Sequence, residues 1–295
     1  MMVHGADIKS YMELCKLKIS LFSAFSAATG FMLSGHRIGY GLSAAAAGVF
    51  FIGCGACALN QYQERDVDAR MPRTQGRPLP SGRIRPAGAL YFAIALICLG
   101  SFVLLLTDRT APVLLGLFAV IWYNIIYTAL KRKTAFAVIP GALLGAVSPA
   151  IGWFSGGGEP TDHKLIALCF FFFMWQAPHF WLLMMKRGDE YKNAGLPSLT
   201  ESFSRTQLRR IIFIWTGAAA VSALFIPFGG VAGNYAIGAI LFAASSWMVW
   251  NGIKVLMGDE SNTDCTFAFR RMNIFVLLVM LLLSLDKLFI NRPAF

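Results

Sequence analysis

Long apolar runs, broken by short polar stretches, recur along almost the whole chain. The runs reach about 20 residues, which is the length that an α-helix needs to cross the hydrocarbon core of a bilayer. We therefore predict an all-α integral membrane protein with nine transmembrane helices. The predicted spans are 18–36, 40–60, 88–106, 111–129, 135–155, 164–185, 210–228, 233–256 and 273–290.

Composition supports the same class of protein. Of the 295 residues, 57% are hydrophobic and 14% are charged, whereas soluble globular proteins carry about 25% charged residues. No linker or low-complexity tract divides the chain. We therefore predict a single polytopic domain over residues 1–295, with polar loops near 61–87 and 186–209 that are long enough to build a site.

The net charge of +11 follows the predicted topology and does not indicate a nucleic-acid surface. With nine spans, 21 of the 26 Lys and Arg residues lie in the N-terminal segment and in alternate loops on one side. The positive-inside rule places that side in the cytoplasm, so we expect the N-terminus inside and the C-terminus outside. The first 17 residues show no signal-peptide pattern, which favours a bacterial cytoplasmic (inner) membrane.

Cys54 and Cys57 form a C-x-x-C pair inside the second predicted span. Redox or metal chemistry is one interpretation of this spacing, but the sequence offers no second cysteine pair or nearby histidine to complete a metal set. Their Gly and Ala neighbours favour the other interpretation, which is close helix packing by small apolar side chains.

A first acidic cluster follows the second apolar run, where Asn60, Glu64 and Asp68 are spaced four residues apart. If the helix continues past Asn60, the three side chains share one face, because residues four apart lie nearly above one another. Their oxygens suit Mg²⁺, which commonly shares its coordination shell with substrate phosphates. Polar groups at membrane depth are costly and usually functional, so this cluster is a candidate metal site.

Arginines accompany these acids, among them Arg65, Arg73 and Arg77. A guanidinium matches phosphate oxygens, so the acids and arginines together supply the parts of a diphosphate–magnesium site. The alternative is a solvated loop whose arginines only follow the positive-inside rule. Residues 77–83 contain two prolines and a glycine; they end the helix and form either a structured lid or a plain turn.

Two further groups lie near the same predicted membrane face. Tyr127 and Lys131 are four residues apart at the end of the fourth span, where Lys131 could reach a phosphate or only anchor the helix at the interface. In the sixth span, Pro178 and His179 lie among aromatic residues and precede Asp189 and Glu190. A histidine at this depth ligates iron, pairs with a carboxylate or fills a polar hole.

These segments resemble the intramembrane UbiA-type prenyltransferase superfamily and, within it, the branch that acts on haem. The superfamily's first motif, N-D-x-x-D-R-x-x-D, stands here as NQYQERDVD, in which Gln61 and Glu64 replace aspartates. Tyr127 and Lys131 match its Y-x-x-x-K motif. Four segments resemble signatures of the haem branch: LCKLKISLF (14–22), RTQGRPLPSGRI (73–84), WQAPHFWLL (175–183) and DEYKNAGLPSL (189–199).

The resemblance implies a helix bundle around a central cavity that transfers farnesyl from farnesyl diphosphate to a vinyl group of haem B, giving haem O and diphosphate. It implies Mg²⁺ as the cofactor, with the lipid bilayer as the environment and a haem A synthase or an oxidase assembly protein as a candidate partner. The residues that it assigns to Mg²⁺ are Asn60, Glu64, Asp68, Asp189 and Glu190. Those assigned to diphosphate are Arg65 and Lys131, followed by Tyr127, Arg73, Arg77 and Lys186. His179 and Trp175 are assigned to the haem side.

Three alternatives differ in their predictions. The same fold acting on a quinone precursor such as 4-hydroxybenzoate has no use for the Pro-His-Phe-Trp segment. A secondary transporter predicts charges near the bilayer midplane and paired broken helices, whereas these acids gather at one face. A haem-binding assembly factor needs metal ligands from two helices, and His179 is the one histidine well inside a predicted span.

Overall fold

The computed structural model describes residues 7–35, 38–228, 235–258 and 262–290. These residues form helices and the turns between them. The helices in chain order are α1 (Ile8–Cys15), α2 (Leu17–Leu33), α3 (Tyr40–Asp68), α4 (Pro86–Leu105), α5 (Thr110–Ile121), a π-helix (Trp122–Tyr127), α6 (Thr128–Leu130), a 3₁₀-helix (Ala135–Ala137), α7 (Val138–Ser155), α8 (His163–Asn193), α9 (Leu199–Ser202), α10 (Arg205–Phe228), α11 (Tyr235–Met257) and α12 (Asn262–Ile290).

The helices confirm the predicted membrane architecture. Eight segments of the described chain are long and apolar enough to span a bilayer, and α2 is a shorter apolar helix of 17 residues. These nine segments match the nine predicted spans. The protein is therefore a multi-pass membrane protein, and its exposed leucine, isoleucine and phenylalanine side chains are those of helices that face lipid.

Several helices are longer than the predicted spans, because a prediction from apolar runs does not include their polar ends. α3 continues to Asp68, α8 continues to Asn193, and α12 begins at Asn262. Apolar runs do not report such polar turns, although α-helical hydrogen bonding continues through them. The short amphipathic helix α1 was not predicted for the same reason, since it contains no long apolar run.

α2 lies at the centre of the bundle, where it packs against α3, α7 and α12. Its approach to α7 depends on glycine: a Cβ on Gly152 would lie 1.8 Å from the Ala27 carbonyl oxygen. A Cβ on Gly30 would lie 2.0 Å from the Pro149 carbonyl oxygen. Small residues at such crossings let membrane helices pack backbone to backbone.

Candidate active site

α3 extends past its apolar part and carries the first acidic cluster on one buried face. Asn60, Glu64 and Asp68 are 3%, 5% and 4% exposed. The predicted shared face is therefore present, because α3 remains helical to Asp68. Two buried carboxylates need compensating charges, since removing an unpaired charge from water costs several kcal/mol.

Each carboxylate has one cation from another segment as its partner. The Lys131 Nζ, just after α6, lies 2.7 Å from Glu64 Oε1 and 2.8 Å from Oε2. The Arg77 Nη1, in the segment between α3 and α4, lies 2.7 Å from Asp68 Oδ2 and 2.8 Å from Oδ1. Two ion pairs thus join the last turns of α3 to Lys131, just after α6, and to Arg77, in the segment between α3 and α4.

Asn60 connects the acids to residues that the sequence did not identify. Its Oδ1 accepts hydrogen bonds from the Tyr123 hydroxyl at 3.2 Å and the Lys16 ammonium at 3.4 Å. Its Nδ2 donates to the Thr128 Oγ1 at 3.2 Å. Burial lowers the pKa of Lys16, and the charges of Arg77 and Lys131 act in the same direction.

A π-helical turn positions the tyrosines of this site. Tyr123 and Tyr127 stack with ring centroids 5.8 Å apart within the turn Trp122–Tyr127. Such turns insert an extra residue into an α-helix and are frequent at functional sites. Tyr127 also packs closely on Gly141 of α7. The signal that could have identified Tyr123 is its position four residues before Tyr127, followed by Asn124 within an apolar span.

The segment between α3 and α4 is a structured cover for the acids and not a plain turn. Thr74 Oγ1 donates to the Asp68 carbonyl oxygen at 2.8 Å, and Met71, Leu79 and Ile84 are buried. Arg83 fixes its far end to α1 by donating to the Glu13 carboxylate at 2.6 Å.

The second acidic segment meets this cover. α8 bends at Arg187, whose backbone is not helical, and Glu190 Oε2 then lies 3.5 Å from the Arg73 Nε. Met71 packs with Ala194 and Leu196, which follow α8. Burial lowers the pKa of Arg73, and the positive charges of Arg187 and Arg77 lower it further. Several cations therefore gather between the two acidic segments.

Three of the predicted residues are not joined to this centre by any contact in the described part of the chain. Asp189 and Lys186 are exposed on the last turns of α8. Arg65 places its guanidinium 5.0 Å from the centre of the Tyr62 ring and 3.9 Å from Asp66.

His179 lies in an aromatic box formed by α8 and α12. Its ring centre is 4.5 Å from that of Phe269 and 4.8 Å from that of Trp175. The Trp175 Nε1 donates to the Met272 carbonyl oxygen at 3.1 Å. The buried Nδ1 of His179 has no hydrogen-bond partner among the described residues. Unpaired buried polar atoms are rare and often mark function.

The acidic side chains offer oxygen ligands of the kind that a hard divalent cation prefers, but the described residues do not form a complete coordination sphere. In the described residues no group of three or more His, Cys, Asp or Glu side chains is placed to hold a metal ion. Glu64 and Asp68 nevertheless supply carboxylate oxygens on one buried face, which are the ligands that Mg²⁺ prefers. Both carboxylates face a cation, Lys131 and Arg77 respectively, so an incoming ion would share or replace these partners.

The bundle and its charged site are those of a membrane-embedded prenyltransferase. Residues 21–284 match the UbiA prenyltransferase family, and the chain belongs to that family.

Among similar sequences are proteins named protoheme IX farnesyltransferase. That of Geobacter sulfurreducens is 40% identical over 219 residues, which cover 74% of this chain and 80% of the relative. That of Oleidesulfovibrio alaskensis is 29% identical over 282 residues, which cover 95% of this chain and 97% of the relative. The similarity to this group therefore extends over almost the full length of both chains.

Solved structures share the fold at low sequence identity. A digeranylgeranylglyceryl phosphate synthase aligns with a TM-score of 0.76 and 15% identity, covering 95% of this chain and 98% of that one. A UbiA homologue from Archaeoglobus fulgidus, solved with GPP and Mg²⁺, aligns with a TM-score of 0.69 and 18% identity, covering 93% of this chain and 99% of that one. The architecture is thus that of UbiA-type enzymes.

Proposed function

We propose that this protein transfers the farnesyl group of farnesyl diphosphate to a vinyl group of haem B, giving haem O and diphosphate. The observation that carries the proposal is the set of buried ion pairs at the end of α3, Glu64–Lys131 and Asp68–Arg77. Lys131 and Arg77 are cations that can bind a highly charged anionic substrate at this position. The relatives named protoheme IX farnesyltransferase support farnesyl as the donor group and haem as the acceptor.

Mg²⁺ is the proposed cofactor, held by Glu64 and Asp68 with oxygen from Asn60 and from Glu190 or Asp189 across the site. When bound, it neutralises charge on the leaving diphosphate. Lys131 and Arg77 then exchange their carboxylate partners for diphosphate oxygens, and Arg73 adds a third cation. These residues stabilise the charge that develops as the allylic C–O bond breaks.

The apolar part of the reaction belongs to the bundle interior. Aromatic side chains stabilise a carbocation through their negatively polarised faces, and a dry environment delays its capture by water. The haem vinyl group forms the new C–C bond with the farnesyl carbon, and a water molecule then adds to the resulting cation and releases a proton, which leaves a hydroxyl group. We assign His179 and Trp175 to the haem side, because their aromatic box contains the unpartnered Nδ1.

The proposed setting is the cytoplasmic membrane of a bacterium, with the acidic segments at the cytoplasmic face. The excess of Lys and Arg in alternate loops supports this orientation. A haem A synthase or an oxidase assembly protein is the proposed partner, since haem O is too apolar to leave the bilayer readily.

The reaction can be tested with purified protein. We expect it to form haem O from haem B and farnesyl diphosphate in the presence of Mg²⁺, with one diphosphate released per product, as measured by chromatography with mass detection. EDTA should abolish product formation and Mg²⁺ should restore it. Prenylation of 4-hydroxybenzoate in place of haem B would overturn the acceptor assignment.

A further inference from the structure

Gln61 stands where the superfamily's first motif has an aspartate, and the structure gives this amide a specific task. Its side chain is 1% exposed. Its Nε2 donates to the Glu13 carbonyl oxygen at 3.1 Å and to the Leu14 carbonyl oxygen at 3.0 Å. These carbonyls lie in the last turn of α1, where a helix leaves acceptors unsatisfied. A carboxylate has no hydrogen to donate to them, so an aspartate could not replace this contact.

The chain then turns sharply at Lys16. This residue ends α1 in the left-handed region, with φ 46° and ψ 53°, and α2 begins at Leu17. A residue with a Cβ is disfavoured there by about 1–2 kcal/mol, and such strain is concentrated at functional positions. The turn sends the Lys16 side chain inward, so that its ammonium lies 3.4 Å from Asn60 Oδ1.

Lys16 differs from the other cations of the site in its partner. Lys131 faces Glu64 and Arg77 faces Asp68, whereas the contact described for the Lys16 ammonium is with a neutral amide. Around the buried face of α3, three cations (Lys16, Lys131 and Arg77) thus accompany two carboxylates. A half-buried cation opposite a neutral partner is costly, and an anionic ligand would remove that cost.

We propose that the Lys16 ammonium binds the diphosphate of the prenyl substrate and that Gln61 is a positioning residue, which holds the α1–α2 turn so that this ammonium faces Asn60. The inference rests on the proposed function, because it assumes a diphosphate substrate. A second attachment supports it: Arg83 donates to the Ser10 hydroxyl at 3.0 Å and to the Glu13 carboxylate at 2.6 Å, so α1 is fixed from both sides.

Binding of farnesyl thiodiphosphate, which resists ionisation, tests the inference without the chemical step. With purified full-length protein and Mg²⁺, we expect Lys16→Met to weaken its affinity about tenfold or more, the loss typical of one charged hydrogen bond. Lys16→Arg should retain most of the affinity. Lys18→Met, an exposed neighbour on α2, is the matched control and should bind as the wild type does.

Gln61→Met keeps the side-chain volume and removes the two donated hydrogen bonds. We expect it to weaken the same affinity about threefold to tenfold, with haem B affinity, measured from the Soret band, unchanged. Because Gln61 acts through Lys16, the substitution should have no further effect in a Lys16→Met background. If Gln61→Met does not yield folded protein, Gln61→Glu, which keeps the length and loses the donors, takes its place in the same cycle.

The possible outcomes separate the inference about Lys16 and Gln61 from the proposed function. Wild-type binding that Lys16→Met leaves intact overturns the inference and spares the proposed function. Additive losses from the two substitutions overturn the positioning role of Gln61, as does an equal loss of haem affinity. A folded wild-type protein that does not bind the analogue overturns the proposed function, and the inference with it.

Discussion

At the scale of single residues, the candidate site consists of buried charges that neutralise one another. Glu64 faces the Lys131 ammonium, and Asp68 faces the Arg77 guanidinium. Such pairs contribute little net stability, because desolvation offsets their attraction. The stability of the fold therefore does not by itself explain why the chain buries these charges.

Glu64→Gln should therefore reduce farnesyl transfer to haem B by about 100-fold or more, as the loss of one preorganised charge-stabilising group does in other enzymes. The substitution preserves shape but leaves the Lys131 ammonium without its counter-charge, so the rate is compared at equal amounts of folded monodisperse protein. Asp66→Asn is the control, because the Asp66 side chain is 77% exposed and should leave the rate unchanged. A normal rate in Glu64→Gln would remove this residue from the site.

His179→Phe separates the haem side from the diphosphate side. The ring stays within the aromatic box, and the unpartnered Nδ1 is removed. We expect haem O formation to fall at least tenfold, as for the loss of a positioned polar group, while thermal stability changes little. Affinity for farnesyl thiodiphosphate should stay at the wild-type value; a parallel loss of this affinity would contradict the assignment.

At the scale of elements, features that follow from helical periodicity could be predicted from the sequence. Features that depend on contacts between distant residues could not. The four-residue spacing of Asn60, Glu64 and Asp68 placed them on one face, and α3 confirms this. Lys16 was not identified because its contact with Asn60, a residue 44 positions away, depends on a left-handed turn. Tyr123 was not identified because its hydrogen bond to Asn60 joins residues 63 positions apart, which a local pattern does not encode.

Gly152→Ala tests the contact between α2 and α7 that places the N-terminal end of α2 at the site. The added Cβ would lie 1.8 Å from the Ala27 carbonyl oxygen, so the two helices must separate. We expect a loss of about 1–3 kcal/mol, the usual cost of overpacking, seen as a lower unfolding temperature. Gly217→Ala, which meets open space within α10, should be neutral or slightly stabilising. Equal behaviour of the two variants would contradict this packing.

At the scale of the whole molecule, membrane class and helix number follow from the sequence, because each apolar run has to cross a bilayer as a complete helix. The helix ends and the pairing of the two acidic segments do not follow, since the contact between Arg73 and Glu190 depends on the bend of α8 at Arg187. The sequence left open whether residues 77–83 form a structured lid or a plain turn, because the burial of Met71, Leu79 and Ile84 depends on contacts that a local pattern does not encode.

The orientation of the bundle is a separate prediction. An alkaline phosphatase fused to the C-terminus should be active. A green fluorescent protein fused there should not fluoresce, because it would be exported in unfolded form. We expect this result because alternate loops carry most of the Lys and Arg residues. The reverse pattern would place the acidic face outside and contradict the proposed topology.

The most direct test of the account is made in a bacterial host that lacks its own haem O synthase. The protein and its Asp68→Asn variant are expressed to equal levels, and the membrane haems are extracted and separated with mass detection. We expect haem O with the wild-type chain and haem B alone with the variant. Haem B alone with abundant folded wild-type protein, or undiminished haem O with Asp68→Asn, would contradict it.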